Sequence, residues 1–340
     1  MQKIKSRLLA WIDSYQYLAL LYFLAKIHSL GFISEIKSSK ISIISKKIGL
    51  ENEILIRIFL ALESINILKI KNKEILLTKD GKFFLNKDKN LALKAIISFE
   101  RWLPHFQTIS ELINQPEHKK FNKKYTRFIM NKTQESLRAW LSKETEGQAR
   151  YILPKLPLKN VTSIADIGGG DGILLIELLK LNKKITGKIY DSIYFKNNIL
   201  TSYGNQKTEK RISRIGCNFF KKIKLSSQVV LLKSVLHNWS DLDAVKILKN
   251  INRSMPENSK LYIIERIIDN NKICGSKSDI FFLDLKMMFV HDGKERTLSE
   301  FKEMLNLSNF ALEKKIKTDN GFFILIASKA KQSTFFKKVI

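Results

Sequence analysis

From residue 161 onward, short β-branched runs alternate with helical segments, and four of the runs break off at something polar. Residues 161–167 lead into Gly168-Gly169-Gly170-Asp171-Gly172. Residues 188–190 end at Asp191, residues 229–236 at His237, and residues 261–264 at Glu265. This alternation is the signature of βαβ units, whose crossovers return the chain to the same end of a parallel sheet. Ligands of open α/β sheets sit at the carboxyl ends of the strands. Residues far apart in the sequence are therefore expected to meet at one crevice.

The glycine run is the strongest single item. Positions without side chains let the backbone turn sharply and approach a ligand, and a following helix over 173–181 turns its positive N-terminus toward the same place. The spacing is Gly-x-Gly-x-Gly at 168, 170 and 172; the nicotinamide fingerprint would require glycine at Ile173. Asp191, closing the next strand, can accept hydrogen bonds from both hydroxyls of a ribose. His237 stands where an apolar strand breaks into Asn238-Trp239-Ser240-Asp241 at the start of a helix. A neutral imidazole there can take a proton from a hydroxyl near neutral pH, with Glu265 as the carboxylate that holds the ring. Each residue has a plain alternative: a tight turn, a solvated acid, a core histidine. Only their convergence points to chemistry.

The first hundred residues read differently. Residues 18–30 are apolar at helical spacing and end at Gly31. Residues 41–48 and 51–65 form two more helices around Gly49. Two short strands, 67–70 and 74–78, then flank Lys71–Lys73 as a hairpin. Helix, turn, helix and wing is the winged-helix order. A DNA-reading second helix should offer Arg, Lys, Asn or Gln, whereas this one carries Glu51, Glu53 and Glu63 against Arg57. The module is expected to dimerise or to cover substrate, and no nucleic-acid partner is expected. The chain does carry 60 Lys+Arg against 32 Asp+Glu, a net +28, but the excess is spread along its whole length instead of being focused on one face.

Lys3, Lys5 and Arg7 ahead of the apolar stretch 15–25 imitate a secretory signal. Asp13 interrupts it and no small-x-small cleavage pattern follows, so a buried helix is expected. No apolar run approaches the roughly 18–20 residues of a membrane span. Two cysteines, Cys217 and Cys274, make neither a disulfide framework nor a Cys-based zinc site by themselves. A cytoplasmic location is the matching expectation.

At this point the motifs resemble a known family. Asp166–Gly172 as Asp-Ile-Gly-Gly-Gly-Asp-Gly, Leu236–Asp241 as Leu-His-Asn-Trp-Ser-Asp and Gly293–Thr297 as Gly-Lys-Glu-Arg-Thr look like the S-adenosylmethionine-dependent O-methyltransferases of the caffeate and hydroxyindole type. The resemblance covers nearly the whole chain. It implies an α/β fold with a doubly wound, mostly parallel seven-stranded Rossmann-like sheet, preceded by an all-helical winged-helix domain. The implied boundaries are 1–90 for a winged-helix dimerisation domain and 91–155 for a helical connector that contributes to the substrate pocket. A cofactor-binding catalytic domain over 156–330 and a tail over 331–340 complete the chain.

Carried over position by position, the resemblance makes His237 the general base, with Glu265 and Glu295 flanking and orienting it. Asp166, Gly168, Gly169 and Gly170 belong to the loop that holds the methionine part of S-adenosylmethionine; the product is S-adenosylhomocysteine. Asp191 binds the ribose, Lys233 a polar group of the cofactor, and Asn218 and Phe219 the adenine. Trp102, Phe106, Phe128, Trp239, Asp284 and Met287 line the pocket for a small hydroxyl-bearing acceptor. No metal is implied, and the partner is a second copy of the chain held through the N-terminal domain. Two positions depart from the family pattern: Asn218 and Asn238 stand where Asp is usual. The resemblance leaves two rivals. One is a relative that binds the cofactor without transferring its methyl, which would not need all three of His237, Glu265 and Glu295. The other is a DNA-binding regulator, against which the acidic helix argues.

Overall fold

The computed structural model describes residues 2–33, 38–86, 90–104, 134–192, 206–269, 279–291 and 293–330. The chain divides into two compact units, 1–143 and 144–340. Among the described residues, no helix is long and apolar enough to cross a membrane.

In the first unit, α1 (Gln2–Ser29), α2 (Ile41–Ile48) and α3 (Asn52–Ser64) are followed by strands β2 (Leu68–Lys71) and β3 (Glu74–Leu77). Gly31 and Gly49 both take positive φ just past the helices they terminate. Leu24, Ile44, Leu55, Phe59, Leu62, Leu68 and Ile75 form the core. The all-helical expectation needs correction. Ser39–Lys40, which is β1, pairs antiparallel with β3 and makes a three-stranded sheet in the order β1-β3-β2. Two residues carry no periodicity, so only the pairing reveals the strand. On α3, Arg57 pairs with Glu53 at 3.0 Å, and the Glu63 carboxylate accepts the Ile70 N–H at 2.9 Å, tying the helix to the hairpin. Helices α4 (Lys79–Leu85) and α5 (Leu91–Ile97) complete this unit's labelled elements.

The second unit is built on seven strands in the order β10-β11-β8-β7-β4-β5-β6, with the two-residue β9 pairing β8 off that path. They are β4 (Ser163–Ile167), β5 (Thr186–Asp191), β6 (Ile212–Gly216), β7 (Val229–Lys233), β8 (Lys260–Ile268), β9 (Arg296–Thr297), β10 (Phe310–Lys317) and β11 (Phe322–Lys329). β4 to β8 run parallel, while β11 is antiparallel to both β8 and β10. Alternate side chains go to opposite faces. Ala165, Val230, Leu232, Leu261 and Ile263 meet α8 (Asp241–Ser254) and α10 (Leu298–Leu307). Ile164, Val229, Leu231, Tyr262 and Ile264 meet the end of α6 (Gln134–Ile152) and α7 (Ile173–Leu181). A parallel sheet covered on both faces needs continuous apolar strands, which is what these sequences supply. Helix α9 spans Asp279–His291, and a single helical turn lies at Gln206–Glu209.

Two strand ends differ from expectation. β7 stops at Lys233, because Ser234 takes φ +54 and swings the backbone out of the sheet. β8 continues to Ile268, because β11 and β9 pair along it, so Glu265 lies within the strand opposite Phe323.

Candidate active site

β4 is the point where the strand order reverses, with β5 and β6 on one side and β7 and β8 on the other. Neighbouring crossovers of an open α/β sheet part at such a point, and the ligand crevice is expected above the β4 carboxyl end. The glycine bend lies in it, with φ +71 at Gly168, +55 at Gly170 and +82 at Gly172. A Cβ on Gly168 would stand 2.6 Å from the Val235 side chain, so the bend presses against the chain leaving β7 and admits no side chain. The Asp191 carboxylate is fixed from both ends: Oδ2 accepts the Gly170 N–H at 2.7 Å and Oδ1 the Ser192 N–H at 2.6 Å.

Charged groups continue beneath the bend. Burial pushes the Asp166 carboxyl up to about 7, Asp191 adds to the rise, and Lys233 opposes it. Burial likewise pulls the Lys233 ammonium down to about 8, against the support of Glu265, Asp166 and Glu144, and its Nζ donates to Thr145 Oγ1 at 3.2 Å. Lys233 thus couples electrostatically to Asp166 at the bend and to Glu265 and His237 at the next turn.

That turn is a short 3₁₀ segment, Leu236–Asn238. Glu265 Oε1 accepts the N–H groups of Val235 and Leu236 at 2.9 and 3.0 Å. Its Oε2 is buried and lies 3.8 Å from His237 Nδ1. Glu295 Oε1 lies 2.7 Å from the same nitrogen. A carboxylate only accepts, so the proton of this bond sits on Nδ1, and Nε2 of the neutral ring keeps its lone pair for an incoming donor. Burial draws the His237 pKa down, but Glu265 and Glu295 outweigh it and the net shift is upward. Burial raises the Glu265 carboxyl, and Glu295 raises it further against the pull of His237. The three donor atoms lie within 4.8 Å of one another, close enough to accept a divalent cation; the 2.7 Å spacing is that of a shared proton.

The backbone of the histidine turn is clasped by residues 293–296. The Lys294 N–H donates to the His237 carbonyl at 3.0 Å, and a Cβ on Gly293 would fall 2.1 Å from that oxygen. Glycine is needed here for close approach. The Gly293 N–H in turn donates to the Met287 carbonyl at 3.1 Å, and the Asp284 Oδ1 accepts the Glu295 N–H at 2.7 Å. Asp284 therefore holds the backbone of Glu295, just before β9, a role its position in the sequence did not suggest. Arg296 was likewise passed over, although it lies within the quoted Gly-Lys-Glu-Arg-Thr block. Its buried guanidinium reaches the Leu236 and Trp239 carbonyls at 2.9 and 2.7 Å and Asp241 at 2.8 Å.

The other expected residues scatter more. Asn218 is exposed, and its Oδ1 accepts the Phe220 N–H at 2.9 Å; Phe219 packs against the core. Trp239 meets Phe220 edge-to-face at 5.0 Å. Met287 is buried on α9. Trp102 is buried within the first unit. Phe106, Phe128 and the tail 331–340 lie outside the described residues.

The O-methyltransferase domain family matches residues 108–311, well over half of the chain. The chain belongs to that family. Among curated family members, "O-methyltransferase 9" of Dictyostelium discoideum is 34% identical over 186 residues, which cover 51% of this chain and 50% of that protein. The "Phenazine O-methyltransferase PhzM" of Lysobacter antibioticus is 28% identical over 186 residues, 54% of this chain and 53% of its own. The chain spans about half the length of the curated relatives it matches. The solved structure of LaPhzM superposes with a TM-score of 0.80 at 22% identity and covers 96% of this chain and 99% of its own. At that identity the likeness is one of fold: a class I methyltransferase sheet that follows a helical N-terminal region in the chain.

Proposed function

We propose that this O-methyltransferase family member transfers a methyl group from S-adenosylmethionine to a hydroxyl of a small acceptor of aromatic, polyketide or isoprenoid type, with His237 as general base. The observation that carries the reading is the 2.7 Å bond between His237 Nδ1 and Glu295, which orients the ring and leaves Nε2 as the proton acceptor.

The crevice suits the cofactor. The glycine bend turns tightly against Val235, Asp166 and Ile189 with no room for a Cβ, and Asp191 holds a carboxylate beside it, preorganised by two N–H donors. Asp191 would receive the ribose hydroxyls, the bend the methionine portion, and Lys233 a polar group. Phe219 would pack on the adenine. Asn218 spends its carbonyl on the Phe220 N–H, so its amide would face the base as a donor. When bound, S-adenosylmethionine supplies a methyl group already activated on a sulfonium. The chain then has three tasks: exclude water, align the acceptor oxygen, and remove its proton. Alignment can contribute roughly 7–11 kcal/mol as effective concentration, and a positioned base about 10²–10⁴-fold.

The first unit is read as a dimerisation domain. Ile43, Ile54, Leu60 and Phe83 stand exposed on it, an apolar set that a partner of the same kind could cover. Light scattering on the purified chain should give twice the 39.4 kDa chain mass; the chain mass itself would refute the dimer. Catalysis is tested by transfer of label from tritiated S-adenosylmethionine into fractions of a host extract, followed by mass spectrometry of the product. A product heavier by one methylene on oxygen is expected. Calorimetry showing no cofactor binding would overturn the reading at its root.

A further inference from the structure

We infer that Arg296 is a positioning residue for the base: it holds the backbone on both sides of His237 and so sets where the imidazole stands. This rests on the reading of His237 as general base. The observation is geometric. Arg296 is 1% exposed, and three of its contacts fall on one short stretch of chain, residues 236–241. Nη1 donates to the Leu236 carbonyl at 2.9 Å and, more weakly, to that of Lys294 at 3.3 Å. Nη2 donates to the Trp239 carbonyl at 2.7 Å, and Nε to Asp241 Oδ1 at 2.8 Å. Leu236 precedes His237 and Trp239 follows it by two, so the guanidinium bridges the two ends of the turn that carries the ring.

Three other contacts fall on the same turn. Glu265 accepts the N–H groups at its start, the Lys294 N–H caps the His237 carbonyl, and Glu295 holds the ring itself. Glu295 and Arg296 are consecutive, and the strand begun by Arg296 is registered on β8, with Arg296 opposite Ile267. The acid that orients the ring and the cation that orients its backbone therefore move as one body with the strand bearing Glu265. A planar fork with five N–H donors in fixed geometry can hold carbonyls on both sides of a turn in one orientation, whereas an ammonium carries its three donors on one atom at the end of a flexible stem and imposes no such geometry. A base displaced by about 1 Å can lose on the order of 10²-fold in rate.

The test compares Arg296→Lys and Arg296→Met with His237→Ala, singly and combined, in the full-length protein. Arg296→Lys is expected to lower kcat by about tenfold to a hundredfold. The dissociation constant for S-adenosylmethionine should stay within about twofold, and the half-rise of the pH–rate curve should shift downward as the Nδ1–Glu295 contact loosens. In the His237→Ala background the same substitution should cost almost nothing, since there is no ring left to place. An additive loss in the double variant, or an unchanged pH profile with only melting temperature lowered, would overturn the inference. Should Arg296→Met not fold, Arg296→Lys, which keeps the charge beside Asp241, carries the test alone. If His237→Ala keeps full turnover, the base assignment falls. The clamp is then judged by the NMR titration of His237 in Arg296→Lys, where a displaced midpoint upholds it and an unmoved one refutes it.

Discussion

The glycine bend after β4 and the histidine turn after β7 lie at the carboxyl ends of adjacent parallel strands, yet they are shaped by opposite means. The bend is defined by atoms it lacks: its left-handed dihedrals disfavour a Cβ, and one on Gly168 would stand only 2.6 Å from Val235. The turn is defined by polar groups that burial would penalise if any partner were removed: Glu265, Glu295 and Arg296 are each at most 3% exposed. The first site should therefore break when an atom is added and the second when one is taken away. A tight bend requires only that side chains be left out, whereas a base aimed in a fixed direction requires buried charges that hold one another.

The sharpest way to separate the two sites is His237→Ala or His237→Gln. Turnover should fall by about 10²–10⁴-fold while calorimetry finds cofactor affinity nearly unchanged, and undiminished turnover would end the assignment. Adding an atom to the bend comes next. Gly168→Ala places a side chain at φ +71 and against Val235. It should cost about 1–3 kcal/mol in stability from the backbone alone, with cofactor affinity lost as well; thermal unfolding together with calorimetry checks both. Asp191→Ala removes an acceptor that two N–H groups hold in place. It should weaken cofactor binding by roughly 1.5–3 kcal/mol, the range for hydrogen bonds to charged groups, with little change in turnover at saturation.

The pH dependence links the two sites. His237 must be deprotonated to act, and its pKa is raised above 6.5, so turnover should rise through a midpoint above that value. Glu295→Gln should lower the midpoint by removing a charge that favours the imidazolium. The stability sign is opposite. A raised folded-state pKa means the fold prefers the proton, so that contribution is complete below 6.5 and is lost as pH rises through the higher folded value. Asp166 acts in the same sense between 3.8 and about 7. Melting temperature should fall as turnover rises, and less steeply in Asp166→Asn. The smallest effect expected is none: chelation of divalent cations should leave turnover unchanged, and a loss restored by added metal would show that the Nδ1–Glu295 position holds a cation instead of a proton.

Much of this site was legible in the chain. Strand runs of apolar residues, each stopping at a polar one, put Asp191 at the end of β5 and His237 just past β7, as the structure has them, and the glycines stood out because their spacing matches no regular element. Glu295 was reached only through the resemblance, since nothing in residues 293–297 has the periodicity of a strand. Asp284 was expected to line the acceptor pocket; that its Oδ1 accepts the Glu295 N–H was not legible from its position. Glu265 was expected to end its strand, but pairing with β11 and β9 carries the strand on.

Periodicity, glycine positions and the polar ends of apolar runs are local properties, and they alone determined the α/β architecture, the bend and the candidate base. Which acid bonds to the ring, which one clasps the turn, and that Arg296 bridges Leu236 and Trp239 were decided by tertiary structure alone. Those contacts join residues some 30 to 60 positions apart, and a hydrogen bond is decided by direction and distance in space, which no spacing along a chain encodes.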